Sequence, residues 1–315
     1  MPISLDQYAE DLDGRKDLPW PGPPKIDAPK AKPHLSRLPV KAVMWTVYGT
    51  LLNVPHGDLL FEPPPGPLGD FVFENALEKT IKEFKMWNSM SRKPGKPSEY
   101  MGELFKKAVA TLRVMNGGEA AAEKVWEDIV KKLQQKEYTY DVGAYGSLEE
   151  YCRKIAYFFH ASLQGAGAYP GAADALRMVA DAGKPQGLLA DGQSFTFAQL
   201  RRCVRKDDPS FEPNMYVRPE LRILSAEAKA RKPAEAIFKA ATAALAAKGI
   251  RPAETLHVGS SLTRDIAPAK KYGYRTALFA GDKGSLAATG EQLRDPATKP
   301  DVMLTELTQV IEVLG

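Results

Sequence analysis

The chain has 315 residues, of which 44% are hydrophobic and 26% are charged, as is typical of globular proteins with a sizeable buried core. This length allows one large domain or two ordinary ones. The formal net charge of +4 is too small to indicate nucleic acid or an acidic membrane surface as a partner. No apolar run reaches membrane-spanning length, and the N-terminus lacks a signal-peptide core, so by default we expect a cytoplasmic protein with no membrane partner.

The cysteines and the basic residues indicate neither a metal site nor a nucleic-acid surface. Cys152 and Cys203 lie far apart and form no Cys-x-x-Cys motif, so neither a disulfide framework nor a zinc site is predicted. The richest basic cluster, residues 201–206, is followed at once by Asp207 and Asp208, which is typical of a solvated helix end. We therefore expect no nucleic-acid partner.

Residues 1–40 are proline-rich and polar, above all in the run 20–39. Proline lacks a backbone N–H and restricts φ, so this run cannot sustain a helix or a central strand. We predict an extended N-terminal arm that wraps the domain or is partly disordered.

The stretch AVMWTVYGTLLNV, residues 42–54, is an apolar run that breaks at Tyr48-Gly49-Thr50 and then resumes. This pattern is typical of a buried strand that ends in a tight functional turn. A proline-punctuated loop follows over residues 55–67.

Residues from about 70 to 163 carry helical periodicity almost throughout. Apolar residues recur at i, i+3, i+4 and i+7 in FVFENALEKTIKEF, SEYMGELFKKAVATLRVM, EAAAEKVWEDIVKKLQQ and SLEEYCRKIAYFFHASL. Ser147 and Glu150 form a capping-box pattern at the start of the fourth segment. We predict a subdomain of about four helices, inserted over residues 55–165.

Four aromatic residues of this insertion bear on its role. Their helical spacing favours positions in the core, whereas exposure at the surface would favour a protein partner. They are Phe71, Phe73, Trp87 and Trp126.

From Tyr169 onwards, short apolar strands alternate with helices. The predicted strands are GLLA, RILSA, TLHVG and RTALFA, and the predicted helices are ADALRMVADAG, AEAIFKAATAALAAKG and IAPAKKYG. This alternation indicates a parallel sheet with helices on both faces. The predicted fold class is α/β, a Rossmann-like core of residues 41–54 and 166–315 that is interrupted by the helical insertion.

Residues that follow the strands are the candidates for chemistry, because ligands bind at the carboxyl ends of the strands in an open parallel sheet. Four such loops, in chain order, contain Thr46-Val47-Tyr48-Gly49-Thr50, Ala190-Asp191-Gly192-Gln193, Arg231-Lys232-Pro233, and Gly259-Ser260 with Asp265. Together they resemble the four motifs of the haloacid dehalogenase-like (HAD) hydrolases, across roughly residues 41–312. The helical insertion resembles the type 1 cap of that family, and Tyr48 within VYGTLL resembles its dehalogenase-type branch.

The resemblance implies a role for each motif position, and three of these positions have changed. Thr46 occupies the place of the aspartate that attacks phosphorus or carbon to form a covalent intermediate. Its hydroxyl is neutral near pH 7 and needs an adjacent base, which no histidine or glutamate in the matching loops offers. Ala190 replaces the hydroxyl that holds the phosphate or carboxylate of the substrate, and Ser260 replaces the first acid of the magnesium site.

Two charged residues of the family pattern are kept. Lys232 is expected to neutralise a bound anion and to pair with nearby carboxylates. Asp265 is the one full-strength candidate for holding Mg²⁺, with possible help from Asp191, and tight magnesium binding is not expected. No other cofactor is predicted. Asp191 is also expected to cap its own turn through a side-chain oxygen.

These coordinated changes predict a HAD-like pseudoenzyme that has lost hydrolytic activity. It would bind an anion or a phosphometabolite, or act as a protein-interaction module. In the anion-binding form, Lys232, small hydroxyls and the N–H groups of the strand-to-helix turns hold the ligand. A rival interpretation is that Lys232 and Asp265 form an internal ion pair that only fills the site. The alternative function is a phosphatase or dehalogenase with a rearranged mechanism through Asp265 or Asp191.

The candidate site residues form two groups, and none is assigned as a metal ligand. At the catalytic positions are Thr46, Lys232 and Asp265. Expected to bind the substrate or ligand are Tyr48, Gly49, Thr50, Asp191, Gly192 and Ser260. The expected partner is a small anionic ligand or a protein.

Overall fold

A computed structural model of the chain describes residues 1–89 and 95–315. These residues divide into two compact units. The helical unit comprises residues 1–22, 59–165 and 193–199, and the α/β unit comprises residues 23–58, 166–192 and 200–315. Within the two described ranges, no helix is both long enough and apolar enough to cross a membrane.

Six α-helices of the described chain lie wholly within the helical unit. They are α1 (Leu5–Asp13), α2 (Gly69–Glu83), α3 (Pro97–Met115), α4 (Ala122–Gln134), α5 (Val142–Tyr145) and α6 (Leu148–Leu163). The four predicted helices are confirmed as α2, α3, α4 and α6, and the capping box between Ser147 and Glu150 at the start of α6 is present. The single turn α5 was not predicted, because four residues are too few to show a period.

The N-terminal arm is not extended throughout, so the prediction for residues 1–40 needs a correction. Helix α1 begins after Ser4, whose hydroxyl accepts a hydrogen bond from the Gln7 N–H, while the Gln7 side chain accepts one from the Ser4 N–H. No proline lies between Pro2 and Pro19, so a helix is allowed there. The proline-rich run 20–39, all of which is described, contains no helix.

Aromatic side chains pack at the centre of the helical unit. Rings with centroids 4.8 to 5.7 Å apart come from α2, α3, α4 and α6, namely Phe73, Phe105, Trp126 and Phe159. In contrast, Phe71 is 67% exposed and Trp87 is 57% exposed. The four aromatic residues singled out from the sequence are therefore divided equally between the core and the surface.

The remaining elements build the α/β unit, with α8 beginning in the last residues of the helical unit. The strands are β1 (Ala42–Trp45), β2 (Leu52–Asn53), β3 (Gly167–Ala168), β4 (Gln186–Ala190), β5 (Val217–Leu224), β6 (Thr255–Gly259), β7 (Arg275–Phe279) and β8 (Val302–Leu304). The helices are α7 (Ala172–Asp181), α8 (Thr196–Arg205), α9 (Ser225–Ala228), α10 (Glu235–Ala246), α11 (Ala267–Lys271) and α12 (Val310–Val313).

Six strands form one parallel sheet in the order β5-β4-β1-β6-β7-β8, and β2 pairs with β3 in an antiparallel ribbon. The parallel sheet predicted from the alternating pattern is confirmed. Strand β5 is longer than the predicted RILSA segment, and β8 and α8 were not predicted.

Both faces of the sheet are covered by helices. Successive side chains of β1 point in opposite directions, so Met44 and Trp45 lie on opposite faces. Met44 packs in one core cluster with Phe238 of α10. On the other face, the Trp45 indole N–H donates to Gln186 Oε1 at 2.9 Å, and Gln186 Nε2 donates to the Leu176 carbonyl of α7 at 2.7 Å. The prediction of helices on both faces is therefore confirmed.

The strand register brings the candidate loops to one edge of the sheet. Trp45 of β1 pairs with Leu188 of β4 on one side and with Val258 of β6 on the other. Because all three strands are parallel and in step, the first residues after β1, β4 and β6 leave the sheet side by side.

Candidate functional site

Three buried side chains form a closed hydrogen-bond network at this edge of the sheet. The Lys232 ammonium donates to Thr46 Oγ1 at 2.9 Å, to the Leu189 carbonyl at 3.2 Å, and to Asp265 Oδ1. Thr46 Oγ1 in turn donates to Asp265 Oδ1 at 3.1 Å. An ammonium group has three protons, so all the donors of Lys232 are used within the chain. We call Thr46, Lys232 and Asp265 the buried network.

Asp265 is held through both of its carboxylate oxygens. Its Oδ2 accepts the Ser261 backbone N–H at 2.9 Å, while its Oδ1 accepts the bonds from Lys232 and Thr46. Burial by itself raises the pKa of Asp265, but the Lys232 charge and the hydrogen bonds to this carboxylate together hold that pKa below its usual range. Asp265 is therefore an ionised, weakly basic carboxylate near pH 7.

His257 of β6 lies beside the buried network. Its Nε2 is 3.9 Å from Asp265 Oδ1, and its Nδ1 is 3.1 Å from the Met44 carbonyl oxygen. A carbonyl oxygen can only accept, so Nδ1 carries the proton. Complete burial lowers the pKa of His257 although Asp265 is near. The imidazole is therefore neutral.

Two glycines allow close packing at the ends of β1 and β6. A Cβ atom at Gly259 would lie 2.4 Å from the Cβ of Asp265, and one at Gly49 would lie 2.7 Å from Ser260 Oγ. Gly49 also has a φ of +78°, in the left-handed region that other residues rarely adopt. These two positions therefore require glycine for packing, independently of any reaction.

A second group of charges, which we call the arginine cluster, consists of Asp58, Asp191, Arg231 and Arg264. Arg231 Nη2 lies 2.9 Å from both carboxylate oxygens of Asp58, and Arg264 Nη1 donates to Asp58 Oδ2 at 2.8 Å. Asp191 Oδ2 lies 4.0 Å from Arg231 and 3.9 Å from Arg264. The side chains of Arg231, Asp58 and Arg264 are 23%, 28% and 30% exposed, so solvent reaches this cluster.

Asp191 connects the arginine cluster to the third motif loop. Its Oδ1 accepts the Lys232 backbone N–H at 2.8 Å. The predicted capping of its own turn is therefore wrong, because the carboxylate bonds a distant loop. Burial raises the pKa of Asp191, and the charges of Lys232 and Arg231 offset only part of that effect.

The other predicted ligand-binding residues are all buried. Tyr48 is 3% exposed and forms a backbone bridge to Leu52. Thr50 is fully buried, and its hydroxyl has no hydrogen-bond partner among the described residues. The Gly192 N–H donates to Ser225 Oγ at 3.0 Å and is thereby occupied. The predicted residues brought into direct contact through hydrogen bonds are Thr46, Asp191, Lys232 and Asp265.

The residues at the strand ends do not fit a magnesium ion. Thr46 and Ser260 stand where the family pattern has acids, and the ammonium of Lys232 lies against the remaining carboxylate of Asp265. Both Asp265 oxygens already accept hydrogen bonds, and an adjacent positive charge repels a cation. Within residues 1–89 and 95–315, no three His, Cys, Asp or Glu side chains lie close enough to hold a metal ion.

Four charged or titratable residues of the site were not predicted as site residues. Arg231 and Arg264 each directly precede a residue assigned to a catalytic position, and this repeated adjacency is the signal that could have revealed them. Asp58 lies in the proline-punctuated loop, where no motif marks it. His257 lies inside the apolar strand TLHVG, which gives no sign of the adjacent Asp265.

Comparisons with known proteins agree with this architecture. A family model described as HAD-hydrolase-like matches residues 229–310, which contain the third and fourth motif loops. No curated protein is significantly similar to the sequence. The structure is similar to the 2-haloacid dehalogenase from Pseudomonas syringae pv. Tomato, with a TM-score of 0.51 and 17% identity, over 87% of this chain and 97% of that chain.

Two further solved structures are similar at lower TM-scores. L-2-haloacid dehalogenase from Xanthobacter autotrophicus, with chloropropionic acid covalently bound, has a TM-score of 0.42 and 17% identity, over 86% of this chain and 97% of that one. HAD phosphatase from Thermococcus onnurineus has a TM-score of 0.45 and 18% identity, over 86% and 96%. Likeness at such identities concerns the fold and not the reaction. The chain thus has the HAD-like α/β fold, and its predicted resemblance to the HAD superfamily is confirmed.

Proposed function

We propose that this protein is a non-catalytic, anion-binding module with the HAD-like fold. The observation that carries the proposal is the buried network at the place of the HAD nucleophile. There, the Thr46 hydroxyl accepts a hydrogen bond from Lys232 and donates one to Asp265. The Thr46 hydroxyl and its two partners, Lys232 and Asp265, thus bind one another at the position where a substrate would bind in a hydrolase.

Thr46 is poorly suited to attack a substrate. The carboxylate within hydrogen-bond reach of its hydroxyl is that of Asp265, at 3.1 Å. General-base catalysis works best when the pKa of the base lies near the working pH, and the pKa of Asp265 is lowered by Lys232. The Thr46 proton therefore has no effective acceptor, which argues against a covalent intermediate at this position.

Anion binding through Lys232, as the sequence predicted, is not favoured, because its three protons are engaged inside the chain. Arg231 and Arg264 carry positive charge that solvent reaches at this edge. Guanidinium groups bind carboxylates and phosphates through paired, charge-assisted hydrogen bonds. These two arginines support the anion-binding role.

Turnover assays test the proposal directly. With p-nitrophenyl phosphate or 2-chloropropionate, with and without Mg²⁺, we expect no release of p-nitrophenol or chloride above the buffer rate. If the natural chain turns over either substrate and Asp265→Asn or Asp191→Asn abolishes that activity, the protein is a hydrolase with a rearranged mechanism. For that alternative, the raised pKa of Asp191 favours this residue as a proton donor.

A reversion provides the positive control for the same assay. The combined change Thr46→Asp, Ala190→Ser and Ser260→Asp restores the acids and the hydroxyl of the family pattern. Phosphatase activity in this variant, together with none in the natural chain, would support a silenced site on a competent scaffold.

A protein-interaction role has its own supporting observation. Four large apolar side chains are 67% to 87% exposed, namely Leu68, Phe71, Val114 and Met115. They lie at the start of α2 and the end of α3, which pack antiparallel through Phe73 with Phe105 and through Ser98 with Glu78. If this surface binds a second copy, sedimentation velocity will show self-association that Phe71→Ser weakens. A monomer at all concentrations would contradict that role.

A further inference from the structure

Asp58 is placed in the arginine cluster as an anionic ligand would be. Its carboxylate accepts hydrogen bonds from Arg231 at 2.9 Å and from Arg264 at 2.8 Å. Arg231 lies between α9 and α10 and Arg264 between β6 and α11, yet both side chains point at one carboxylate. Their side chains are 23% and 30% exposed, so a solute can reach the same guanidinium groups.

The charge balance indicates which kind of solute fits. With Asp58 withdrawn, the two positive charges of Arg231 and Arg264 face the carboxylate of Asp191 about 4 Å away. A tetrahedral phosphate carries between one and two negative charges near pH 7 and offers several acceptor oxygens to the planar guanidinium forks. A phosphate group therefore matches the cluster in both charge and hydrogen-bonding geometry.

The turn that presents Asp58 is held in an unfavourable backbone conformation. His56 has a φ of +59° and Gly57 a φ of +63°, so two successive residues are left-handed and one of them is not glycine. Such a conformation persists because the surrounding contacts hold it. The Asp58 N–H makes a long bond of 3.4 Å to the Pro55 carbonyl, and the Asp58 carboxylate pairs with both arginines.

We propose that Asp58 is an internal substitute for a phosphate oxyanion. Inorganic phosphate or the phosphoryl group of a small monoester binds Arg231 and Arg264 by displacing the Asp58 carboxylate. The inference rests on the proposed non-catalytic role, since a retained ligand must not be hydrolysed.

The test is titration of the whole chain with inorganic phosphate, followed by calorimetry, at ionic strength held constant with NaCl. Asp58→Asn removes the competing charge with little change of shape, so we expect phosphate to bind about tenfold more tightly than to the natural chain. Asp27→Asn is the matched control, because Asp27 is also paired with a cation, Lys283. This substitution should leave the affinity for phosphate unchanged. Arg264→Gln on the natural background weakens binding by at least about tenfold.

Three results would overturn the displacement. They are equal phosphate affinity in Asp58→Asn and the natural chain, equal affinity in Arg264→Gln and the natural chain, and acetate binding as tightly as phosphate. The Arg264→Gln arm stands even if Asp58→Asn does not fold. p-Nitrophenyl phosphate turnover, measured on the same samples, separates the two proposals. Turnover with the expected affinities refutes only the non-catalytic role, and unchanged affinities without turnover refute only the displacement.

Discussion

Two groups of charges lie at the same edge of the sheet and differ mainly in burial. In the buried network, the side chains of Lys232 and Asp265 are 1% and 4% exposed. In the arginine cluster, Arg231 and Arg264 are 23% and 30% exposed. The members are neighbours in sequence, so the third and fourth motif loops each contribute one charged side chain to the buried network and one to the arginine cluster.

Burial decides what each group of charges can do. Away from water, a charge interacts strongly with its partner, and removal of either one leaves an uncompensated ion. Where water reaches the pair, the interaction is weak and a dissolved ion can compete with it. The buried network therefore suits a structural role, and the arginine cluster suits an exchangeable ligand.

The largest expected effect comes from breaking the buried network. Lys232→Met leaves the Asp265 carboxylate buried without its counter-charge, which should lower the free energy of unfolding by about 3–5 kcal/mol. Urea unfolding measures this change. Lys283→Met is the matched control, because its ion pair with Asp27 is exposed and its loss should cost less than about 1 kcal/mol. Equal losses in the two variants would show that burial does not distinguish the pairs.

An intermediate effect is expected from pH. Burial lowers the pKa of His257 beside the buried network, and lowers that of His160 in the helical unit to about 3 from its ordinary 6.5. Below pH 6.5 the unfolded chain takes up protons that the folded chain does not, so stability is complete above pH 6.5 and falls below it. The loss should be roughly 1 kcal/mol per pH unit for His160.

Histidine substitutions test this dependence. His160→Phe and His257→Gln should each flatten the decline in unfolding free energy between pH 6.5 and pH 4.5, and Arg264→Gln should leave the decline unchanged. A decline that survives both histidine changes would assign the acid sensitivity to other groups.

The smallest expected effect concerns salt. Arg264→Gln removes one partner of Asp58 in a solvent-accessible cluster, so at low ionic strength it should cost about 1 kcal/mol or less. In 1 M NaCl the difference from the natural chain should shrink, because salt screens exposed pairs. Urea unfolding at the two salt concentrations measures it. By contrast, the loss caused by Lys232→Met should persist in high salt.

The elements that the sequence predicted well are those with a strong local pattern. The apolar periods of α2, α3, α4 and α6 are long enough to identify helices, and TLHVG and RTALFA are bounded apolar runs that become β6 and β7. The three-residue strand β8 was missed, because so short a segment carries no period. Helix α1 was missed because residues 1–40 were predicted as one extended arm on the basis of the prolines in residues 20–39.

The candidate site was predicted in part. The order of the four motif loops indicated that Thr46, Lys232 and Asp265 would meet, and the hydrogen bonds among them agree with this prediction. The engagement of every Lys232 proton was not predictable, because one of its acceptors is the Leu189 carbonyl, a backbone atom that no motif marks. The contact between Asp191 and the third motif loop was missed for the same reason.

The amino-acid sequence by itself determined the α/β alternation, the helical insertion and the presence of Thr46 where the family resemblance implies an aspartate, because each is a property of neighbouring residues. Only the tertiary structure decided which charges meet and which of them water reaches. Asp58 lies 173 positions from Arg231 and 206 from Arg264, and their contact depends on the folded path of the chain. Burial is likewise a property of the assembled sheet and its covering segments, so the sequence alone could not distinguish Lys232 as a structural charge from Arg231 as an accessible one.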